Sequence, residues 1–157
     1  MKERTAVNKI LVDTQTTKYV DVEHPVIVLD GVPLDAYLHH LYPNNLYLGL
    51  VPTISEWLGS REEAKLILSR FYSEENKIAL PILMCPDDCD LLCTVIIAEV
   101  TKTDSEVIWS RVGEDASQLD VPYNYERIGT EVNWLEKVPE MKFYKYKYYE
   151  NLENIYK

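Results

Sequence analysis

Three apolar stretches in the middle of the chain give the clearest prediction of its fold. They are residues 78–84, 91–100 and 106–112, and the linkers between them are too short to hold a crossover helix. Strands joined in this way pair antiparallel with their neighbours, as a meander. In the second stretch apolar side chains occupy both alternating faces, which predicts a central strand that is covered on both sides.

Shorter segments on either side of the meander predict further strands. Residues 10–12, 19–22 and 25–29 predict two or three strands that end at a strong turn signal. After the meander, residues 114–125 show no convincing period and are expected to form a surface loop. Residues 127–134 are predicted to return as another strand.

Two helices are predicted between these groups of strands. Pro33 suits the first turn of a helix because it has no N–H to leave unpaired there. Apolar residues follow it at the spacing of one helical face: Leu34, Tyr37, Leu38, Leu41 and Tyr42. Ser60 and Glu63 predict a capping box, in which the serine oxygen accepts the Glu63 amide and the Glu63 side chain reaches back to the Ser60 amide. The second helix has one apolar face, made of Ala64, Ile67, Leu68, Phe71 and Tyr72.

Lysine and aromatic residues alternate in residues 141–148. If this segment is extended, Tyr144, Tyr146 and Tyr148 lie on one face of a strand. Lysines on an edge strand protect it against unwanted pairing, which explains their presence here. Residues 149–156 are then predicted to close the chain as a short helix.

Together these elements predict the fold class. The chain of 157 residues is long enough for one domain, and a second independent domain is not expected. The short connections between strands favour an antiparallel arrangement. We therefore expect residues 1–157 to form a single α+β domain, in which helices pack on one face of a mainly antiparallel sheet of five or more strands.

The charge of the chain narrows the choice of partners. It has 26 acidic and 16 basic residues, a formal net charge of −10 and a pI near 4.7. This balance opposes binding to a phosphate backbone or to anionic lipid, and it favours a basic protein partner. We therefore expect neither a nucleic-acid ligand nor association with a membrane.

Three features favour a cytoplasmic protein. The segment from Met1 to Thr5 has basic residues but no apolar stretch after them, so no secretory signal is expected. The longest apolar run, residues 91–98, is too short to cross a bilayer. The odd number of cysteines indicates reduced thiols rather than a disulfide framework.

The cysteines are the sharpest candidate for chemistry. Cys85, Cys89 and Cys93 follow a C-x3-C-x3-C spacing, whereas structural zinc sites bring cysteines in close pairs, with a second pair elsewhere. The intervening Pro-Asp-Asp favours a turn, and Cys93 is expected in the core if a strand begins at Leu91. We expect packed thiols beside a hairpin turn, with no metal and no cofactor. The alternative is a small cysteine-dependent or metal-dependent enzyme that uses this region.

Established catalytic and nucleotide-binding motifs do not occur in the sequence. The chain lacks glycine-rich phosphate-binding loops, the nucleophile elbow of hydrolases and the helical zinc motif of metalloproteases. On the first helix, His39 and His40 project away from the apolar stripe and are expected in solvent. These observations favour a protein that binds rather than catalyses, and we assign no catalytic residue.

Acidic and aromatic residues remain as candidates for contact with a partner. Aromatic side chains dominate the energetics of protein interfaces, and acidic rims speed the capture of basic partners. The chain has twelve tyrosines and three tryptophans. The predicted partner-binding residues are six acidic side chains and three tyrosines of the C-terminal segment: Asp87, Asp88, Asp90, Glu114, Asp115, Asp120, Tyr144, Tyr146 and Tyr148.

The segment from Cys85 to Asp90, the segment from Val107 to Val112 and the acidic, tyrosine-rich character of the whole chain resemble the immunity proteins of bacterial polymorphic toxin systems. The resemblance includes no diagnostic motif, so no site residue is carried over from that family. It implies a protein that binds and blocks a basic toxin domain, often a nuclease, without doing chemistry itself.

Overall fold

The first part of the chain forms a three-stranded antiparallel sheet in the computed structural model, which describes residues 7–157. β1 (Ile10–Thr17) and β2 (Val20–Leu29) form a long hairpin, and the short β3 (Val32–Pro33) pairs with the end of β2. The two predicted strands on either side of His24 are therefore one continuous strand.

A second antiparallel sheet contains the predicted meander. Its strands run in the order β4-β5-β6-β7-β8, and β9 also pairs with β7. Their bounds are β4 (Val51–Pro52), β5 (Lys77–Met84), β6 (Val95–Lys102), β7 (Glu106–Asp115), β8 (Val132–Trp134) and β9 (Met141–Tyr144). The consecutive pairing of β5, β6 and β7 confirms the meander. Val95 to Ala98, four successive residues of β6, are at most 1% exposed, so both faces of this central strand are covered as predicted.

The strand predicted at residues 91–100 begins later than expected, with the first residue of β6. Leu92 and Cys93 are exposed, so the expectation that Cys93 lies in the core is wrong. The carboxylate of Glu63 accepts a hydrogen bond from the Leu91 amide at 2.7 Å. A backbone N–H that donates to a side chain is not free to bond to a neighbouring strand. The pairing of β6 with β5 therefore begins beyond Leu91, at Val95.

α2 (Arg61–Phe71) begins where the sequence predicts it. α1 (Leu34–Leu41) begins one residue after Pro33, which is the N-cap and the last residue of β3 rather than part of the first turn. The Ser60 oxygen accepts a hydrogen bond from the Glu63 amide at 3.2 Å, which confirms the first half of the capping box. The second half is wrong. The Glu63 carboxylate accepts from the Ser60 hydroxyl at 2.8 Å and from the amide of Leu91, rather than from the Ser60 amide. The amide of Leu91, in the loop after β5, thus bonds to the carboxylate that was predicted to accept from the Ser60 amide.

The C-terminal segment departs most from its prediction. The strand expected over residues 141–148 ends at Tyr144, and α3 (Lys145–Leu152) begins at the next residue. Helical geometry turns Tyr148 inward, where it is 1% exposed and its hydroxyl accepts a hydrogen bond from the Trp109 indole N–H at 3.1 Å. Burial of this large ring stabilises the helix more than the alternating pattern favours a strand.

A helix is present near the predicted residues 149–156, but it begins four residues earlier in the sequence, at Lys145, and ends at Leu152. After α3 the chain passes alongside the segment that follows β4. The Ser55 hydroxyl donates to the Ile155 carbonyl at 3.0 Å, and the hydroxyls of Thr53 and Tyr156 lie 3.2 Å apart. Tyr156 is fully buried, so the end of the chain belongs to the core.

The loop predicted at residues 114–125 is shorter than expected. Glu114 and Asp115 belong to β7, because the end of that strand pairs with β8. Of the strand predicted at residues 127–134, only β8 forms. The remainder is a short 3₁₀ turn followed by turns, within the described residues.

The histidines of α1 differ in their surroundings. His40 is exposed as predicted, but His39 is half-buried, and its Nδ1 atom is buried without a hydrogen-bond partner among the described residues. The prediction for His39 is wrong because α1 packs against β2 and β3, and this contact extends beyond the apolar stripe. His24, on β2, is also buried, with its ring 5.2 Å from that of Trp57.

One hydrophobic core joins the two sheets. Its buried side chains come from both sheets and from all three helices, and they include Ile27, Leu34, Ile67, Ile96 and Leu152. Such a shared core is what defines a single domain. The structure thus confirms the predicted α+β fold with an antiparallel sheet of more than five strands, and β1, β2 and β3 form a second, separate sheet.

No helix within residues 7–157 has the length and apolar character needed to span a membrane. The segment from Met1 to Thr5, from which the absence of a secretory signal is expected, lies outside the described residues.

Candidate partner-binding surface

Three segments of the chain meet around the N-terminal end of α2, and we call them together the α2-terminal surface: residues 59–63, 85–94 and 119–127. The Gly59 amide donates to the Cys89 carbonyl at 3.2 Å, which joins the first two segments. Tyr123 and Tyr125 line a groove together with Glu62 and Lys65 of the first turns of α2, which joins the third. Segments that are far apart in the sequence thus form one surface.

Glu63 fixes the position of the loop at residues 85–94. Its side chain is 3% exposed, and its carboxylate accepts from the Ser60 hydroxyl at 2.8 Å and from the Leu91 amide at 2.7 Å. A buried carboxylate needs such donors in place of water, and the N-terminal end of a helix also favours a negative charge. The loop is therefore tied to the first turn of α2.

The loop between β5 and β6 presents three acidic residues. Asp87 and Asp88 are exposed, whereas Asp90 is half-buried and its carboxylate accepts from the Leu92 amide at 3.0 Å. Burial raises the pKa of the Cys89 thiol, and the charges of the three aspartates raise it further. The loop therefore holds three carboxylates whose charges act on the same thiol.

Apolar and aromatic side chains are exposed on the same surface. Val121 is 84% exposed, Tyr123 is 50% exposed and Leu92 is 44% exposed. The rings of Tyr123 and Tyr125 lie 6.2 Å apart. Burial raises the pKa of Tyr125, and the charge of Glu63 raises it further. The surface thus combines apolar groups with an acidic rim, a composition typical of protein interfaces.

Two of the predicted acidic residues make bonds within the fold. Glu114 accepts a hydrogen bond from the Tyr47 hydroxyl at 3.1 Å. One oxygen of Asp115 accepts from the Ser117 hydroxyl at 2.7 Å and from the Gly129 amide at 3.0 Å. Both residues are half-buried. Their carboxylates hold neighbouring loops, and they are less available to a partner than those of the acidic loop.

Asp120 lies within the α2-terminal surface, and it is exposed as predicted. Its carboxylate is 2.7 Å from the guanidinium of Arg127. An exposed ion pair of this kind contributes little to stability. The cation nevertheless balances the charge of Asp120, so this residue adds little to the negative potential of the surface.

The predicted tyrosines lie at the other end of the large sheet. Tyr144 pairs with Glu106, at the end of β7 that lies beside the last residues of β6, whereas the acidic loop leads into the first residue of β6. The eight residues of β6 separate these two places by roughly 20–25 Å. Tyr144 and Tyr146 are exposed, but Tyr148 is buried and cannot contact a partner. The nine predicted residues therefore do not share one surface.

Sequence reasoning missed the apolar part of the α2-terminal surface. Val121 and Tyr123 stand in a segment without helical or strand periodicity, and Leu92 was assigned to a strand. Large apolar residues in a segment with no period are the signal that could have indicated exposure. The proximity of this segment to α2 has no signature in the sequence.

The three cysteines are free thiols. Burial raises the pKa of Cys85 to about 11, and that of Cys89 is also raised. Cys93 is the exposed member of the group. Within residues 7–157, no group of three or more histidine, cysteine, aspartate or glutamate side chains is placed to hold a metal ion.

No protein-family model matches the chain, and no curated protein or solved structure is significantly similar to it. The geometry of the α2-terminal surface and the charge of the chain are therefore the features from which its function is inferred.

Proposed function

We propose that the protein is a non-catalytic binding module that caps a basic protein partner through the α2-terminal surface, as the immunity proteins of bacterial toxin systems do in the cytoplasm. One observation carries this proposal. Val121, Tyr123 and Leu92 are exposed in segments that meet at the start of α2, where Tyr123 lines a groove with Glu62 and where Glu63 holds the acidic loop. Apolar side chains of this kind supply contact area that excludes water, and the carboxylates select a cationic partner.

The charge distribution supports a basic partner. The chain carries a formal charge of −10, and Asp87 and Asp88 stand exposed at the tip of the acidic loop. Exposed carboxylates attract a cationic protein over roughly a Debye length, about 8–10 Å at physiological salt. This attraction accelerates encounter more than it strengthens the final complex. The acidic loop therefore acts mainly on the association rate.

The anchoring of the loop supports a preformed surface. The Glu63 carboxylate holds the Leu91 amide, and the Gly59 amide holds the Cys89 carbonyl. A loop that is ordered before binding loses less conformational entropy when the partner arrives. Leu92, next to the anchored residue, is thus presented to the partner at a low entropic penalty.

The state of the thiols favours this role over that of a cysteine-dependent enzyme. A nucleophilic cysteine needs a lowered pKa, which positive neighbours or a helix N-terminus provide. The pKa of Cys85 and that of Cys89 are both raised, by burial first and then by their neighbours. Both thiols therefore remain protonated at neutral pH, which disfavours catalysis at these positions.

The first step of the test is to establish that the neighbouring reading frame encodes a protein with a basic C-terminal domain, and the second uses the purified chain with that domain. The variant Asp87→Asn with Asp88→Asn removes two exposed charges from the acidic loop. Association is followed by stopped-flow fluorescence at low and at physiological salt. We expect this variant to associate roughly tenfold more slowly at low salt, with a smaller difference at physiological salt.

The matched control is Asp21→Asn with Glu23→Gln, which removes two exposed charges from β2 in the other sheet. We expect its association rate to stay within about twofold of the unaltered chain, because its charges lie outside the proposed interface. Equal slowing by both variants would contradict the assignment of the surface. Absence of binding by the unaltered chain would contradict the proposed immunity role for this pair of proteins.

A further inference from the structure

Two of the three cysteines flank the neck of the acidic loop. Met84 and Val95 are the last paired residues of β5 and β6, so Cys85 and Cys93 stand just beyond the ladder on its two sides. The Cys85 thiol donates across the neck to the carbonyl of Thr94, the residue next to Cys93, at 3.9 Å. After burial, the side chain of Cys93 is the next cause that raises the pKa of Cys85. Two cysteines that flank the neck of a hairpin, with one thiol directed across it, are candidates for a disulfide.

The third thiol is engaged elsewhere. The Cys89 thiol donates to the Pro86 carbonyl at 3.3 Å, inside its own turn, and the Cys89 amide donates to the Cys85 carbonyl at 3.1 Å. The backbone of Cys89 is in the left-handed region, with φ of 48°. The turn thus directs this sulfur back to its own backbone, whereas the Cys85 thiol is directed across the neck.

We propose that Cys85 and Cys93 form a reversible disulfide that closes the acidic loop at its neck, with a low-molecular-weight disulfide such as oxidised glutathione as the oxidant. This inference goes beyond the proposed function and does not depend on it. Cys93 is the exposed residue of the pair, and Cys85 is half-buried. Cys93 is therefore the thiol that the oxidant reaches first.

The exchange proceeds in two steps. The deprotonated sulfur of Cys93 attacks one sulfur of oxidised glutathione, which breaks the small disulfide and releases one glutathione thiolate that takes up a proton. Cys85 then loses its proton, and its sulfur displaces the second glutathione from Cys93. The Cys85–Cys93 bond forms while one small disulfide is reduced to two thiols. Because burial raises the pKa of Cys85 to about 11, the second step is the slower one and accelerates as pH rises.

Closure would constrain the part of the chain that bears the acidic residues. The bond encloses residues 86–92, which include Asp87, Asp88 and Leu92. One end of the loop is already held by Glu63 through the Leu91 amide. A second covalent closure at the neck would restrict the motion of the loop without displacing that anchor. If the proposed function holds, oxidation therefore acts on the partner-binding surface.

The test maps the bond in the full chain, without a partner. The protein is equilibrated with oxidised and reduced glutathione, its free thiols are alkylated, and the denatured chain is cut by a protease that cleaves on the amino side of aspartate. Asp87, Asp88 and Asp90 place each cysteine in a separate peptide. We expect mass spectrometry to find the peptide of Cys85 joined to the peptide of Cys93, with Cys89 alkylated. Three alkylated cysteines, stable glutathione adducts alone, or a bond that includes Cys89 would overturn the proposal.

Single substitutions test the order of the two steps. Cys89→Ser is the matched control, because it also carries one serine but keeps both proposed partners. We expect it to lose both remaining thiols on oxidation. Cys85→Ser should accumulate a glutathione adduct on Cys93, because the resolving thiol is gone. A Cys93→Ser variant that still forms an internal disulfide would overturn the assignment. If a variant does not fold, the peptide map of the unaltered chain decides alone.

Discussion

At the scale of residues, the α2-terminal surface depends on how each tyrosine is held. Tyr125 is half-buried and lines a groove with the first turns of α2. Tyr123 lies beside the ring of Tyr125, and its side chain is 50% exposed. An aromatic ring that is already held loses little side-chain entropy on binding and still offers a large contact area. Tyr123 therefore has the properties of an anchor residue.

Replacement of Tyr123 by alanine tests this role. We expect Tyr123→Ala to weaken binding of the basic partner by roughly tenfold or more, since hot-spot aromatics contribute at least about 1–2 kcal/mol. Tyr144→Ala is the matched control, because Tyr144 is 56% exposed against 50% for Tyr123 and lies at the other end of the sheet. Titration calorimetry gives both dissociation constants. A larger loss with Tyr144→Ala would place the interface at the wrong end of the molecule.

The exposure of a single residue was predictable where it follows from the residues next to it in the sequence. The exposure of Asp87 and Asp88 follows from their turn-forming sequence, which is a local property. The burial of Tyr148 does not, because it depends on Trp109 and Phe71, which are far away along the chain. An alternation of lysine and tyrosine fits a strand and also a helix that turns one tyrosine in four inward. The sequence alone cannot choose between them.

At the scale of elements, the connection between α2 and the acidic loop is made by one side chain. The Glu63 amide donates to the capping oxygen of Ser60, and the Glu63 carboxylate holds the loop by accepting from the Leu91 amide. Its neighbour Glu62 is exposed and makes no comparable contact among the described residues. The two glutamates thus allow the connection to be tested against a residue of the same type.

We expect Glu63→Ala to destabilise the fold and to release the loop. The variant leaves the Leu91 amide without its acceptor, and an unsatisfied buried donor costs about 1–3 kcal/mol in the free energy of unfolding. Glu62→Ala should change that free energy by less than about 0.5 kcal/mol. Urea denaturation measures both values, and amide exchange at Leu91 reports release of the loop. Equal stabilities, with slow exchange in both variants, would show that Glu63 is not the anchor.

Elements were predictable where local interactions define them. The start of α2 was predicted because Ser60 and Glu63 are three residues apart and the cap forms within one turn. The start of β6 was not, because the bond that delays it joins Glu63 to Leu91 across 28 positions. Apolar pattern indicates that a strand exists, but a distant hydrogen bond sets where it begins.

At the scale of the whole molecule, the end of the chain closes the core. The Tyr156 ring is fully buried, its hydroxyl lies 3.2 Å from that of Thr53, and the ring centroid is 4.5 Å from that of Phe71. Burial raises the pKa of Tyr156 from 10.0 to about 12, although the bond with Thr53 opposes the shift. The folded protein therefore keeps this phenol neutral in a range where the unfolded chain ionises it.

This difference makes the fold sensitive to alkali. The stability that neutral Tyr156 contributes is fully present below the unfolded pKa of 10.0, and it is lost as pH rises towards the folded pKa of about 12. The loss amounts to roughly 2–3 kcal/mol for a shift of this size. We expect Tyr156→Phe to lose correspondingly less stability between about pH 9 and 12 in urea denaturation, because it has no phenol to ionise.

Tyr146→Phe is the matched control for the alkaline measurement, because Tyr146 is 75% exposed. We expect its pH dependence to follow that of the unaltered chain. Burial also raises the pKa of Tyr148, so this residue continues to lower the free energy of unfolding at high pH in all three proteins. An unchanged slope in Tyr156→Phe would mean that its hydroxyl does not contribute.

The sequence by itself determined the antiparallel meander, the start of α2 and the acidic character of the chain. Each of these follows from spacing within a few residues or from composition, both of which can be read directly. Only the tertiary structure decided that Tyr148 is core, that Tyr123 lies beside the first turns of α2, and that the Cys85 thiol reaches the carbonyl of Thr94. These relations depend on which segments pack together, and packing selects among alternatives that local pattern leaves equal.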